Sequence, residues 1–179
     1  RVLLVVDGVR MNNLIYRAGH LQNVITIDQN ILERAEILFG PASTVYGSDA
    51  LGGVIHFRTK NPQLSTSEKM LFKGNAFARY SSSNNEKTGH ADITIGWKKW
   101  SLLSSFSYSS FDDLKMGKKG GQDNYLRPEY IDKINNIDST VMNSNPRVQR
   151  FSGYNQLNFL QKLRFKPNQF WDLQYSFIH

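Results

Sequence analysis

Few side chains in this 179-residue chain have a spacing that could do chemistry. The four histidines, His20, His56, His90 and His179, are too dispersed to make a metal site by spacing alone. There is no cysteine, so disulfide scaffolding, thiolate ligation and thiol nucleophiles are excluded together. Serine, histidine and aspartate all occur, but neither a Gly-x-Ser-x-Gly elbow nor a His-Glu-x-x-His pair does, and no enzyme is expected. One stretch, Asn12–Asn23, gathers Tyr16, Arg17, Gly19 and His20. Arginine and tyrosine donors suit an anionic or polar ligand, and an imidazole suits haem iron. The plainer alternative is that His20 only hydrogen-bonds within its own loop.

Composition narrows the setting of these residues. The formal charge is +7, of which residues 1–62 carry +1 and residues 63–179 carry +6. The excess is scattered without a block of like charge, so a solvated polar surface is expected and nucleic acid is not. No run approaches the roughly 18 apolar residues of a membrane helix. A membrane β-barrel stays open, because its strands alternate and its mean hydropathy is low. The opening run Arg1–Gly8 reads as the interior of a domain and lacks a signal-peptide pattern.

Two halves with different periodicity must position the chemistry. The first reads as a mixed domain with a small sheet and short helices. Val2–Val6 is an apolar strand ended by Asp7-Gly8, Asn30–Arg34 a helical turn, and Ala35–Phe39 a strand stopped by Gly40-Pro41. Ser43–Tyr46 is a second helical turn, and Gly52–Lys60 a strand. The second half holds 18 of the 22 aromatic residues and alternates with period 2. Lys69–Tyr80, Thr88–Lys98, Trp100–Phe111, Gly153–Lys166 and a segment from Trp171 each set an apolar or small-residue face against a polar one. Most exceed the 5–6 residues typical of a soluble strand, roughly, and reach the 9–11 needed to cross a bilayer. Tight turns at Lys98-Lys99 and Pro167–Phe170 alternate with polar connections at Ser81–Lys87 and Asp112–Ser152. Trp97, Trp100 and Trp171 flank the tight turns, as an aromatic girdle would. A soluble β-rich binding domain remains the alternative, since a half-exposed antiparallel sheet also alternates.

The run from Ile31 to Lys60, with Glu33-Arg34-Ala35-Glu36, Gly40-Pro41, Tyr46-Gly47-Ser48 and Gly52-Gly53-Val54-Ile55, closely resembles the C-terminal part of the plug of TonB-dependent outer-membrane receptors. The upstream Leu3-Leu4-Val5-Val6-Asp7-Gly8-Val9-Arg10 resembles that family's strand and turn. Phe39 and His56 depart from the pattern, where Arg and Asn are usual. The resemblance implies an α+β plug at residues 1–62, followed at 63–179 by the first antiparallel strands of a plugged, 22-stranded transmembrane β-barrel of about that size class. It also implies an extracellular loop at about 112–152. The structural motif residues would be Asp7, Gly8, Glu33, Arg34, Glu36, Gly40, Pro41, Tyr46, Gly47, Gly52 and Gly53. Glu33, Arg34 and Glu36 are read either as buried ion-pair partners between plug and barrel wall or as solvated charges beside a helix. Tyr16, Arg17, His20 and Tyr46 would face the ligand. Partners would be the TonB complex, outer-membrane lipid of a Gram-negative bacterium, and a ferric siderophore or haem, with vitamin B12 or a glycan as alternatives. No resident cofactor and no catalysis are implied.

Overall fold

The computed structural model describes residues 2–11, 27–40, 43–47, 50, 52–117 and 125–179. Its first element is a four-stranded mixed sheet. Strands β1 (Leu3–Val6), β2 (Val9–Arg10), β3 (Leu32–Phe39) and β4 (Gly53–Thr59) lie in the order β2-β1-β4-β3. Asp7 and Gly8 both take positive φ, 46° and 88°, so the β1–β2 hairpin closes in two residues, as an Asp-Gly pair favours. β1 runs parallel to β4, pairing Leu3 with Val54 and Val6 with Phe57, and β3 closes the other side of β4 antiparallel. Leu3, Val5, Ala50 and Val54 form the buried core of this sheet, and Tyr46, from the helical turn Ser43–Tyr46, packs against it.

The expected helical turn at Asn30–Arg34 is displaced. A 3-10 turn spans Gln29–Ile31, capped by the Asp28 side chain, which accepts the Asn30 N–H at 2.9 Å. Leu32 then turns extended, and pairing with β4 draws Glu33 and Arg34 into strand, so β3 begins three residues before the expected Ala35. Tertiary pairing has overridden a local helical pattern here.

A second sheet is an antiparallel meander in the order β11-β10-β7-β6-β5. Its strands are β5 (Leu71–Ser81), β6 (Glu86–Gly96), β7 (Trp100–Phe111), β10 (Tyr154–Phe165) and β11 (Leu173–Ile178). All five match the expected segments to within a few residues. In the inner strands β6 and β7 burial is inverted relative to a soluble sheet. Along β6, Glu86, Thr88, His90 and Thr94 are buried, while Lys87, Gly89 and Ala91 are exposed. Along β7, Ser101, Leu103, Ser105, Ser107 and Ser109 are buried, while Trp100, Phe106 and Tyr108 are exposed. The polar face is covered and the aromatic face is bare.

The stretch 112–152 contains an element that period 2 in the longer strands did not reveal. β8 (Glu129–Ile134) and β9 (Ile137–Met142) form a separate two-stranded hairpin. Its turn is Asn135-Asn136, with φ of 53° and 62°, a two-residue turn that asparagine tolerates. Contacts divide the chain into two compact units. One comprises residues 1–76, 90–107 and 158–179, and so holds the mixed sheet together with parts of β5, β6, β7 and β10 and all of β11. The other comprises 77–89 and 108–157 and holds the hairpin. Among the described residues no helix is long and apolar enough to cross a membrane, which says nothing of crossing by strands.

Gly53 shows what the paired glycine does. Its φ is 129°, and a Cβ there would sit 2.7 Å from the Leu38 carbonyl oxygen across the β3–β4 pair. Gly53→Ala in the full-length protein should therefore lower the urea stability of the mixed sheet by about 1–3 kcal/mol. Gly89→Ala, where a Cβ meets nothing within 4 Å, should leave it unchanged. Equal midpoints for the two variants would contradict this account.

Candidate functional site

The chemistry of the first unit is concentrated where the mixed sheet meets the polar face of the meander. Asp7 lies at its centre. Its position in the β1–β2 turn points the carboxylate across the end of β4, where Oδ1 accepts the Thr59 N–H at 2.9 Å and Oδ2 accepts the Thr59 hydroxyl at 2.6 Å. Oδ2 also pairs with Nζ of Lys162, at 3.0 Å. Lys162 stands on β10 and is 1% exposed. It donates a second bond, 3.2 Å, to Asn61 Oδ1, which also accepts from Gln174 Nε2 on β11 at 3.1 Å. Burial disfavours the charged form of Asp7, but the bonds from Thr59 and the Lys162 ammonium outweigh it and hold its pKa below the ordinary carboxylate range.

A buried polar chain makes the second attachment. Asp28, 6% exposed, accepts the Ser107 hydroxyl. Ser107 Oγ lies 2.6 Å from His90 Nδ1, and His90 Nε2 lies 3.0 Å from Asp92 Oδ2. Asp92 also receives Nζ of Lys60 at 2.8 Å. The chain thus begins and ends on the plug-like segment, at Asp28 and Lys60, and runs through β7 and β6 between. Serine, histidine and aspartate meet as in a hydrolase, but with Ser107 on Nδ1, 1% exposed, and giving its proton to Asp28. No substrate reaches an oxygen so placed. Beside both attachments, Ile31 packs on Leu103 and Leu160, and Ser101 donates to the Gln63 carbonyl at 2.7 Å.

Glu33, Arg34 and Glu36 of the motif lie elsewhere, on the exposed side of the mixed sheet. Arg34 Nε donates to Glu36 at 2.8 Å, Glu33 stands 3.6 Å from Arg34, and Arg58 stands 3.7 Å from Glu36. The Arg34–Glu36 hydrogen bond raises the pKa of the guanidinium and lowers that of the carboxylate. They pair with one another on strands, not beside a helix. Phe39 is 89% exposed. His56, by contrast, is buried, and its Nε2 accepts the Gly8 N–H at 3.1 Å. Burial, with Arg58 nearby, lowers its pKa, so it is a neutral structural acceptor. Gly40 and Gly47 take φ of 85° and 83°. Tyr46 contributes its ring to the core. Tyr16, Arg17, His20 and Pro41 lie outside the described residues. Among those described, no group of three or more His, Asp or Glu side chains is arranged to hold a metal ion.

Sequence reasoning missed Asp28, His90, Ser107 and Lys162 as members of this junction. Their only signal was a polar residue type on the face later found buried. Asp7 was recognised, but as a turn residue.

Comparison with known proteins agrees with the resemblance in the sequence. Residues 1–54 match the family model of the TonB-dependent receptor plug domain. Among solved structures, the chain is similar to a mutant of the ferric enterobactin receptor PfeA of Pseudomonas aeruginosa in complex with enterobactin. The TM-score is 0.58 at 16% identity, over 98% of this chain and 24% of that one. It is also similar to PfeA in complex with BCV-L6, with a TM-score of 0.53 at 14% identity and the same coverage. At these identities the likeness is one of fold. The chain spans about a quarter of the length of those receptors.

The buried pair yields a stability test. Asp7→Asn leaves the Lys162 ammonium buried beside a neutral amide and should cost about 3 kcal/mol. Lys162→Met should cost less, because Thr59 still serves the carboxylate. The double variant should cost less than the sum, and strict additivity in a urea double-mutant cycle would dissolve the pair. The pKa of Asp7 is depressed in the folded state, so its contribution is present above about pH 4 and lost as the pH falls further. Asp7→Asn should remove that acid-dependent loss.

Proposed function

We propose that this chain, which carries a TonB-dependent receptor plug at residues 1–54, is part of an outer-membrane transporter that takes up an iron-containing ligand. The inverted burial of the meander carries this reading. A sheet that covers Glu86, Thr88, His90 and a row of serines while baring Phe106, Tyr108 and Leu157 suits a wall with lipid outside and a plug within. A soluble β-domain would be arranged the other way round.

On this reading residues 1–62 belong to the plug and 63–179 to a barrel of about 22 strands, most of which lies beyond this chain. Stretch 112–152, with its hairpin, projects to the cell exterior. Tyr16, Arg17 and His20 face the ligand, and so does Tyr46, which is partly buried against the core of the mixed sheet. The similarity to ferric enterobactin receptors favours a ferric siderophore over haem. No bond in the ligand is made or broken. TonB, energised from the inner membrane, acts on a plug segment upstream. Opening a path then means parting Asp7 from Lys162 and Asp28 from Ser107.

The reading is tested by iron-limited growth of cells that depend on the full-length receptor. Uptake of a ferric siderophore should require both the receptor and TonB. Uptake unchanged when TonB is deleted would sink the proposal. Under the same conditions His20→Ala should abolish growth on haem alone if haem is the cargo, and should spare siderophore-dependent growth. An epitope inserted between Asn135 and Asn136 should be reached by antibody on intact cells. Labelling only after the outer membrane is broken would reverse the orientation.

A further inference from the structure

The two attachments divide their charges unevenly. At both, the acid belongs to the plug-like segment, Asp7 at one and Asp28 at the other. At both, the donor belongs to the meander: the Lys162 ammonium on β10 and the Ser107 hydroxyl on β7. Ser104 donates to Gln161, and the Lys166 N–H reaches the Lys99 carbonyl, which sets Lys162 abreast of Leu103. Lys162 and Ser107 are thus four residues apart along the covered face, roughly 13 Å, so that a group moving along the wall would meet them in turn. The other carboxylates that this unit carries after residue 62 are already matched. Glu68 pairs with Lys98, Asp92 with Lys60 and His90, and Asp172 with two nitrogens of Arg164. Lys162 has Asp7 as its counter-charge, and its other bond goes to the neutral amide of Asn61.

Parting the attachments takes the acids away and leaves the donors on the wall. An enclosed ammonium stripped of its counter-charge is costly. A ligand favours one state of a protein only through groups that bind that state better. With the plug seated, Asp7 answers Lys162. With Asp7 withdrawn, the same ammonium can be answered by an oxygen anion that the cargo brings. The catecholate, hydroxamate or carboxylate oxygens of a ferric siderophore are acceptors of the kind that the departing carboxylates were. A neutral glycan offers no such charge.

We propose that Lys162, with Ser107 farther along the wall, forms an anion-binding site that Asp7 and Asp28 fill while the plug is seated and that the oxygen anions of the ferric cargo fill as it passes. The proposal rests on the transporter reading and deepens it, since it makes the cargo an anion and makes opening easier when cargo is present. Two measurements on the full-length receptor test it. In detergent, Asp7→Gly removes the carboxylate in a turn position whose positive φ glycine accepts. Acetate should raise the thermal midpoint of this variant above its value in chloride of equal ionic strength. It should not do so for Asp7→Gly combined with Lys162→Met. Equal midpoints of Asp7→Gly in acetate and chloride overturn the site. In cells, the probe is ferric enterobactin, an anionic catecholate. Lys162→Met should retain surface binding in the cold but lower uptake per receptor copy by roughly tenfold, the loss of one charge-assisted bond. Lys162→Arg should restore uptake, and Asp7→Gly should raise it. A lysine that only latched the plug would give the reverse for Lys162→Met, because losing a latch eases opening. Uptake by Lys162→Met at or above the wild-type rate therefore overturns the cargo's part, as does a wild type that takes up no ferric enterobactin. The acetate measurement decides the site itself in either case. Wild-type uptake that persists without TonB sinks the transporter reading instead.

Discussion

A carboxylate in a two-residue turn and an ammonium on a strand more than 150 residues later, Asp7 and Lys162, are held 3.0 Å apart, the lysine enclosed and the aspartate partly exposed. The lysine's charge alone would be costly to bury. Lys162 is almost wholly enclosed, so the meander tolerates it only while Asp7 is present. Asp7 is oriented only because the β1–β2 hairpin closes over the end of β4, where Thr59 fixes both its oxygens. The small sheet and the strand wall therefore specify one another. Asn61, next along the chain after β4 and Lys60, joins the same cluster, so the connection from one sheet to the other is tied down at the point where it crosses.

The remaining architecture follows from which solvent each face meets. Packing the polar faces of β6, β7 and β10 inward gives Ser101, Ser107, Asp92 and Lys162 partners on the small sheet and its connections, while Thr88 pairs with Glu86 and Ser109 within the meander. The outward faces are left to phenylalanine, tyrosine and leucine. In water that surface would be a hazard for aggregation. On the proposed reading as a barrel wall that surface meets hydrocarbon, and the tryptophans at the tight turns sit at its boundary.

Much of this was legible in the residues. The glycine and proline punctuation and the apolar core strands of the first half carry their physics locally: an Asp-Gly turn needs positive φ, and the second of two adjacent glycines sits where a side chain would strike a carbonyl. Period 2 over a dozen residues located the wall strands within a few positions. What stayed hidden depends on contacts distant in sequence. Nothing near Lys162 announces Asp7, and nothing near Asp28 announces Ser107. Glu33 and Arg34 look helical until β4 pairs with Leu32 and Arg34 and leaves Glu33 in the bulge between them. The β8–β9 hairpin hid because its isoleucines serve neither a buried face nor a lipid face, so its strands lack the contrast between faces that marked the others.

The parallel pairing of β1 with β4 has a mechanical consequence. The two strands point the same way, with Leu3 beside Val54 and Val6 beside Phe57. β4 leads directly into Lys60, Asn61 and Gln63, which are fastened to the wall. Tension applied at the start of β1 and resisted at that fastening runs along both strands in opposite senses. It loads their evenly spaced hydrogen bonds together, in shear, instead of peeling them one at a time. A tug from upstream thus meets a stiff element with a sharp rupture threshold. What governs its release is a rate under load, not the equilibrium stability that denaturants measure.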